Sequence, residues 1–205
     1  ILTIGSFDGL HRGHQEIVKK VVSQAQMEQL KSVVITFDPH PRHILDKNSK
    51  LPLLISLDKK FLLLESLHVD TVLVIPFTEE FSTIPAQEFM EKIVMKHFDP
   101  QHIVIGHDHH FGYKRKGSPQ FLSHYSKDKD FTCEVVEAVV DDAVVISSSH
   151  IRQLIQEGFV RRASFKLGWM YGFKANVIHG AGRGKDLSFP TANFVAIEEN
   201  QLFPK

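Results

Sequence analysis

The stretch that decides the fold opens the chain: Ile1-Leu2-Thr3-Ile4-Gly5-Ser6-Phe7-Asp8-Gly9-Leu10-His11-Arg12-Gly13-His14. Its first four residues are a short apolar run closed by Gly5, the pattern of a buried strand ending in a loop. From about His14 to Leu30 the apolar residues Ile17, Val18, Val21, Val22 and Ala25 recur at helical spacing, which makes one core-facing stripe. The period then changes. Ser32-Val33-Val34-Ile35-Thr36-Phe37 is continuous and β-branched, as a strand covered on both faces would be.

Outward from this unit the same alternation continues. It predicts a helix over 58–67, a strand over 71–77, a helix over 85–98 opened by Pro85, and a strand over 102–107. A short helix near Phe121, a strand from about Cys133 to Val140 and a helix over 148–157 complete the series. Strand and helix taking turns imply right-handed crossovers, hence an α/β domain with an open, mostly parallel sheet and helices on both faces. Gly158 follows as a helix C-cap, and residues 160–167 form a short helix-like stretch. Beyond Gly168 the character shifts. Residues 171–179 alternate like a strand, Gly180-Ala181-Gly182-Arg183-Gly184 is a glycine loop, and 194–197 is again extended. Two units are therefore expected: residues 1–158, and residues 159–205 as a linker helix with a β-rich unit too short to hold a core of its own.

Composition bounds the function. The 205 residues are 42% hydrophobic, enough for a real core. With 24 basic and 24 acidic residues the formal charge is zero, so no global field argues for nucleic acid or a membrane, and any anion must be gripped locally. The single cysteine, Cys133, excludes an internal disulfide framework, fits a reducing compartment and reads as a packed residue. No apolar run of about eighteen residues and no signal-peptide pattern is present, which makes a cytoplasmic protein the default. The first residue is Ile1, already in a strand, and Lys205 falls in mid-pattern, so the sequence reads as a fragment cut at both ends. These features leave the oligomeric state open.

Two clusters point to phosphate chemistry. Gly5, Ser6, Phe7, Asp8, Gly9, His11, Gly13 and His14 lie between a strand and a helix, where a parallel sheet places its ligands. The helix start offers free backbone N–H groups, the glycines allow close approach, and two imidazoles can donate to phosphoryl oxygens. Taken alone, the cluster reads more readily as a glycine turn with two surface histidines. Ser147, Ser148 and Ser149 open a later helix, with Arg152 one turn inside. Such serines are ordinary helix caps, but with Arg152 they also suit an anion. Transfer of a nucleotidyl group needs two such sites, one for the phosphate under attack and one for the departing pyrophosphate.

Together these stretches resemble the FAD synthetase branch of the nucleotidyltransferase superfamily that carries a HIGH-type, Rossmann-like domain. The opening G-x-F-D-G-x-H-x-G-H and the late Ile146-Ser147-Ser148-Ser149-His150-Ile151-Arg152 carry the resemblance. Thr36-Phe37-Asp38-Pro39-His40-Pro41-Arg42 is similar to the family's T-F-x-P-H-P segment, and residues 106–112 with Arg115-Lys116-Gly117 to its G-x-D-F-x-F-G loop. The resemblance implies transfer of AMP from ATP to FMN, giving FAD and pyrophosphate, with Mg²⁺ as cofactor. It implies that His11 and His14 hold the ATP phosphates beside the turn Gly5 to Gly9 and Gly13. Ser147, Ser148, Ser149 and Arg152 then steady the pyrophosphate, while Asp38, Pro39, His40, Asp108 and Phe111 border the flavin. Two positions depart from the pattern: His109 stands where the family usually has phenylalanine, and His150 where it usually has arginine.

Phe189-Pro190-Thr191-Ala192-Asn193, after Gly182 and Arg183, reads on residue chemistry as a glycine hairpin and a proline turn. It also resembles the riboflavin kinase signature, in which Thr191 and Asn193 hold Mg²⁺ and nucleotide phosphate at the start of a β-barrel. The resemblance as a whole is to bacterial bifunctional riboflavin kinase/FAD synthetases. Their kinase half needs a downstream glutamate and most of a barrel, so the 205-residue chain is expected not to phosphorylate riboflavin. The alternatives are another nucleotidyltransferase of the same fold or a non-catalytic nucleotide- or flavin-binding module.

Overall fold

The structure is a computed structural model that describes residues 1–46, 51–180, 189, 192–197 and 200–204. The elements run β1 (Leu2–Ile4), α1 (Arg12–Met27), β2 (Val33–Asp38), α2 (Pro41–Leu45), α3 (Leu57–Ser66), β3 (Thr71–Pro76), α4 (Glu79–Ser82) and α5 (Ala86–Phe89). They continue with α6 (Lys96–Phe98), β4 (His102–Gly106), α7 (Pro119–Tyr125), β5 (Thr132–Val136), β6 (Val140–Asp141), β7 (Val144–Val145), α8 (Ser148–Gln156), α9 (Val160–Leu167), β8 (Ala175–Ile178) and β9 (Asn193–Ala196).

Strands β1 to β5 form one sheet in the order β3-β2-β1-β4-β5, every pair parallel. The order reverses between β1 and β4, and the crevice at the carboxyl ends of those two strands is where such sheets bind ligands. The expected stripe of α1 is the stripe it buries: Ile17, Val21 and Ala25 pack with Val104, and Val18 and Val22 with Val34 and Leu64. On the opposite face Ile4, Ile35 and Ile105 meet Phe89, Met90 and Leu122. Each such side chain contributes roughly 1.5–3 kcal/mol by leaving water.

Several elements differ from the sequence reading for local reasons. The helix expected over 85–98 is interrupted by π-helical turns at Met90–Met95 between α5 and α6. The strand expected to reach Val140 stops at Val136, because its partner β4 ends at Gly106, opposite Val136. The chain then folds into a β6–β7 hairpin whose turn residues, Asp142 and Ala143, both have positive φ. Helices α2 and α4 were not visible as periodic patterns, being a single turn each; their caps are His40 and Thr78. The strand expected over 171–179 is confined to Ala175–Ile178, since Tyr171 folds inward and its hydroxyl donates to the Leu202 carbonyl at 2.6 Å. Strands β8 and β9 pair antiparallel as a two-stranded ribbon. Among the described residues no helix is long and apolar enough to cross a membrane.

Candidate active site

The turn after β1 is shaped by buried polar partners. Lys60, on α3 and 7% exposed, donates from Nζ to the Ser6 carbonyl at 2.8 Å and to Thr36 Oγ1 at 3.3 Å. Burial lowers its pKa, opposed by the charges of Asp8 and Asp38. Nothing in the sequence separated Lys60 from an exposed helix lysine except its place in the helical stripe. The next residues carry left-handed backbone at Phe7, Gly9 and Leu10, with φ of 46°, 79° and 36°. At Gly9 a Cβ would come within 2.8 Å of Leu54, so both the conformation and the space require glycine there.

His11 caps α1, its Nδ1 accepting the His14 backbone N–H at 3.4 Å. Because Nδ1 is the acceptor, the network assigns the proton of the neutral ring to Nε2. The two imidazoles stack, with centroids 3.7 Å apart and planes at 18°, and Phe7 stands edge-on to His14 at 5.3 Å. Gly13 makes room for this, since a Cβ there would meet the His11 ring at 3.3 Å. Burial pushes the His11 pKa down to about 4, with the charge of Asp108 opposing, and holds His14 well below its ordinary value with His11 adding to the shift. His14 Nδ1 is buried without a hydrogen-bond partner. Two neutral rings at the positive end of a helix form a donor site for anions.

The second helix start is joined to this turn. Ser147 caps α8, its Oγ accepting the His150 N–H, and Ser148 Oγ donates to the Asp8 carbonyl at 2.9 Å. Asp8 is 3% exposed, and its carboxylate accepts from Leu54 N–H at 3.1 Å and is ion-paired with the Arg152 guanidinium. Arg152 Nε also donates to the Pro52 carbonyl at 2.8 Å. Arg152, expected from the sequence to steady pyrophosphate, lies on the cavity wall and is also paired with Asp8, a buried carboxylate that needs a charged partner. Burial raises the Asp8 pKa and Arg152 opposes that shift.

These groups line one cavity of about 650 Å³, within the range of small-molecule sites. Gly5, Ser6, Phe7, Asp8, His11, Gly13, His14, Ser147, Ser148, Ser149 and Arg152 line it, and so do His40, Asp108 and Phe111. Gly9, Asp38 and Pro39 lie outside the lining, and Arg42 and Arg115, not singled out in the sequence as site residues, lie on it. A chain of rings also lines the cavity: Phe37 to Phe81 at 5.9 Å, Phe81 to Phe89 at 6.1 Å and Phe89 to Phe111 at 5.5 Å. His109 stacks on Phe111 at 5.6 Å, its pKa is pushed down to about 4 by burial, and its Nε2 is buried without a partner. Cys133 stands apart, in β5 opposite Ile103 and packed against the core, and burial pushes its thiol up to about 11. Gly182, Arg183 and Thr191 lie outside the described residues, while Asn193 begins β9 opposite Ile178 and does not line this cavity.

A five-stranded parallel sheet with paired helix starts at its switch point defines an α/β nucleotide-binding domain. Comparison with known proteins narrows the class. The family model for FAD synthetase matches residues 1–150 and that for riboflavin kinase matches residues 167–205. The chain belongs to the FAD synthetase family. A bifunctional riboflavin kinase/FMN adenylyltransferase from Listeria monocytogenes is 36% identical over all of this chain and 65% of its own length. One from Bacillus subtilis is 34% identical over all of this chain and 64% of its own. A crystal structure described as a macrolide-efflux protein from Streptococcus pneumoniae superposes with a TM-score of 0.87 at 30% identity, over 99% of this chain and 66% of that one. The chain thus spans a little under two thirds of the length of these curated relatives.

Proposed function

We propose that this chain transfers AMP from ATP to FMN, giving FAD and pyrophosphate. The observation that carries the reading is that two helix starts, a stacked histidine pair and a chain of aromatic rings line one cavity. The helix starts and histidines suit phosphates, and the rings suit a flat conjugated system. A phosphate oxygen of FMN forms a bond to the α-phosphorus of ATP, the bond from that phosphorus to the bridging oxygen breaks, and pyrophosphate leaves with the electron pair. The nucleophile is already an anion, so no protein nucleophile is needed and the protein's task is to hold two anions together. His11 Nε2–H and His14 donate to the phosphates of ATP at the α1 start. Ser147, Ser148 and Ser149 at the α8 start receive the pyrophosphate, and Arg152 fixes the geometry of both starts through Asp8.

Magnesium enters as the ion carried by ATP, where it neutralises phosphate charge. Among the described residues no group of His, Cys, Asp and Glu could hold a resident ion, and Asp8 is already engaged by Arg152 and Leu54. His40, Asp108 and Phe111 border the flavin, with Asp38 and Pro39 behind them. We divide the chain into a transferase unit, residues 1–158, and a linker with the start of a riboflavin kinase unit, residues 159–205, to which Gly182, Arg183, Thr191 and Asn193 belong. The protein containing this chain then makes FMN from riboflavin as well as FAD from FMN. The single cysteine of these 205 residues suits a cytoplasmic enzyme. The test is stoichiometric: with Mg²⁺, ATP and FMN the chain should release one pyrophosphate for each FAD formed. Binding of both substrates without either product would leave only a binding module.

A further inference from the structure

The turn between β1 and α1 does not hold itself. Phe7 and Leu10 are non-glycine residues in left-handed backbone, a conformation that persists only where the surroundings over-determine it. Two of its carbonyls point away from the cavity, and both are claimed from the far side. Trp169 Nε1 donates to the Gly9 carbonyl at 3.0 Å. Gln15 Nε2 donates to the Leu10 carbonyl at 2.8 Å and to the Leu167 carbonyl at 2.7 Å, tying the turn to the end of α9. Leu167 itself is fully buried and would stand 3.3 Å from a Cβ at Gly9. Lys166 extends the attachment through Asp141 at 2.7 Å, and Arg12 of α1 lies 3.9 Å from the same carboxylate.

The donors Trp169 and Gln15 lie on the outer side of the turn; the groups that face the cavity are Asp8, His11 and His14. Trp169 does not line the cavity, and it falls within the segment, residues 167–205, that matches the riboflavin kinase model.

We propose that Trp169 is a positioning residue for adenylyl transfer, holding the phosphate-binding turn through the Gly9 carbonyl and so coupling the second unit to the first. This rests on ATP binding at the His11 turn. When phosphates settle against the turn, its backbone tightens and the Trp169 indole senses the change. Loss of the indole N–H frees the Gly9 carbonyl and loosens the ATP site, leaving the aromatic wall untouched.

Trp169 is the chain's single tryptophan, so tryptophan emission comes from the clamp residue. The experiment titrates the chain with the magnesium complex of α,β-methylene-ATP, without flavin, following tryptophan emission and binding heat in parallel. It then compares steady-state kinetics of wild type and Trp169→Phe, which keeps an aromatic ring and removes the donor. Emission and heat should saturate together. In Trp169→Phe the KM for ATP should rise about fivefold, the change one net hydrogen bond supplies, with KM for FMN unchanged. Binding heat with unchanged emission, or an unmoved KM for ATP, overturns the clamp and leaves the transferase reading standing. A fall in the unfolding midpoint with unmoved kinetics reduces Trp169 to a packing residue and also overturns it. Absence of binding heat removes the ATP site, and the clamp with it.

Discussion

The Arg152 guanidinium is ion-paired with the carboxylate of Asp8, 144 residues earlier in the chain, with both side chains out of water. Ser148 Oγ holds the carbonyl of the same aspartate, so the start of α8 and the turn before α1 are fixed to each other at one residue. Two anion sites built on different helices thereby keep a constant separation, which in-line transfer between two phosphate groups requires.

Removing one side of that pair leaves the other charge buried alone. Asp8→Asn should lower stability by about 3–5 kcal/mol in denaturant unfolding, and Asp8→Asn with Arg152→Met should recover most of the loss. A single substitution costing under about 1 kcal/mol would show that the pair does not carry the structure here.

Lys60 offers a separate handle on the same turn. Lys60→Met keeps the apolar stem and removes the charged donor to the Ser6 carbonyl. Denaturant unfolding should show a loss of about 1.5–3 kcal/mol, the range for a hydrogen bond to a charged group. Unchanged stability would mean that the cost of burying the ammonium cancels its bonds.

The buried imidazoles set a pH dependence. Burial pushes His11 and His109 down to about 4 and His40 to about 3, from the 6.5 at which each titrates in an unfolded chain. Below 6.5 the unfolded chain takes up protons that the folded chain refuses, so the stabilisation present above 6.5 is lost as pH falls toward 4. Asp8, raised by burial, works in the opposite sense but is one group against several. The unfolding midpoint should therefore drop across this window, and less steeply in His109→Phe. A flat midpoint, or an unaltered slope in the variant, would contradict the buried neutral rings.

The layered α/β order was legible because α1 and the buried strands carry strong, different periods, and the α1 stripe needed no correction. That the His11 turn and the serines at the start of α8 line one cavity accords with the two helix starts read from the sequence. What stayed hidden depended on distant partners. Arg152 looks the same in sequence whether it faces a phosphate or Asp8. Lys60 and Trp169 act through backbone carbonyls, which leave no trace in residue type. Strand β5 ended early because β4 ended, a fact about its neighbour rather than itself.

The central claim is tested most directly at His14. FAD formation from FMN and ATP with Mg²⁺ should be measured for the wild type and His14→Ala, with FMN binding checked in parallel. The account predicts FAD from the wild type and a fall in kcat of about 100-fold or more in the variant, the loss expected for one donor to the transition state, with FMN binding retained. A wild type that makes no FAD, or a variant that turns over at the wild-type rate, would contradict it.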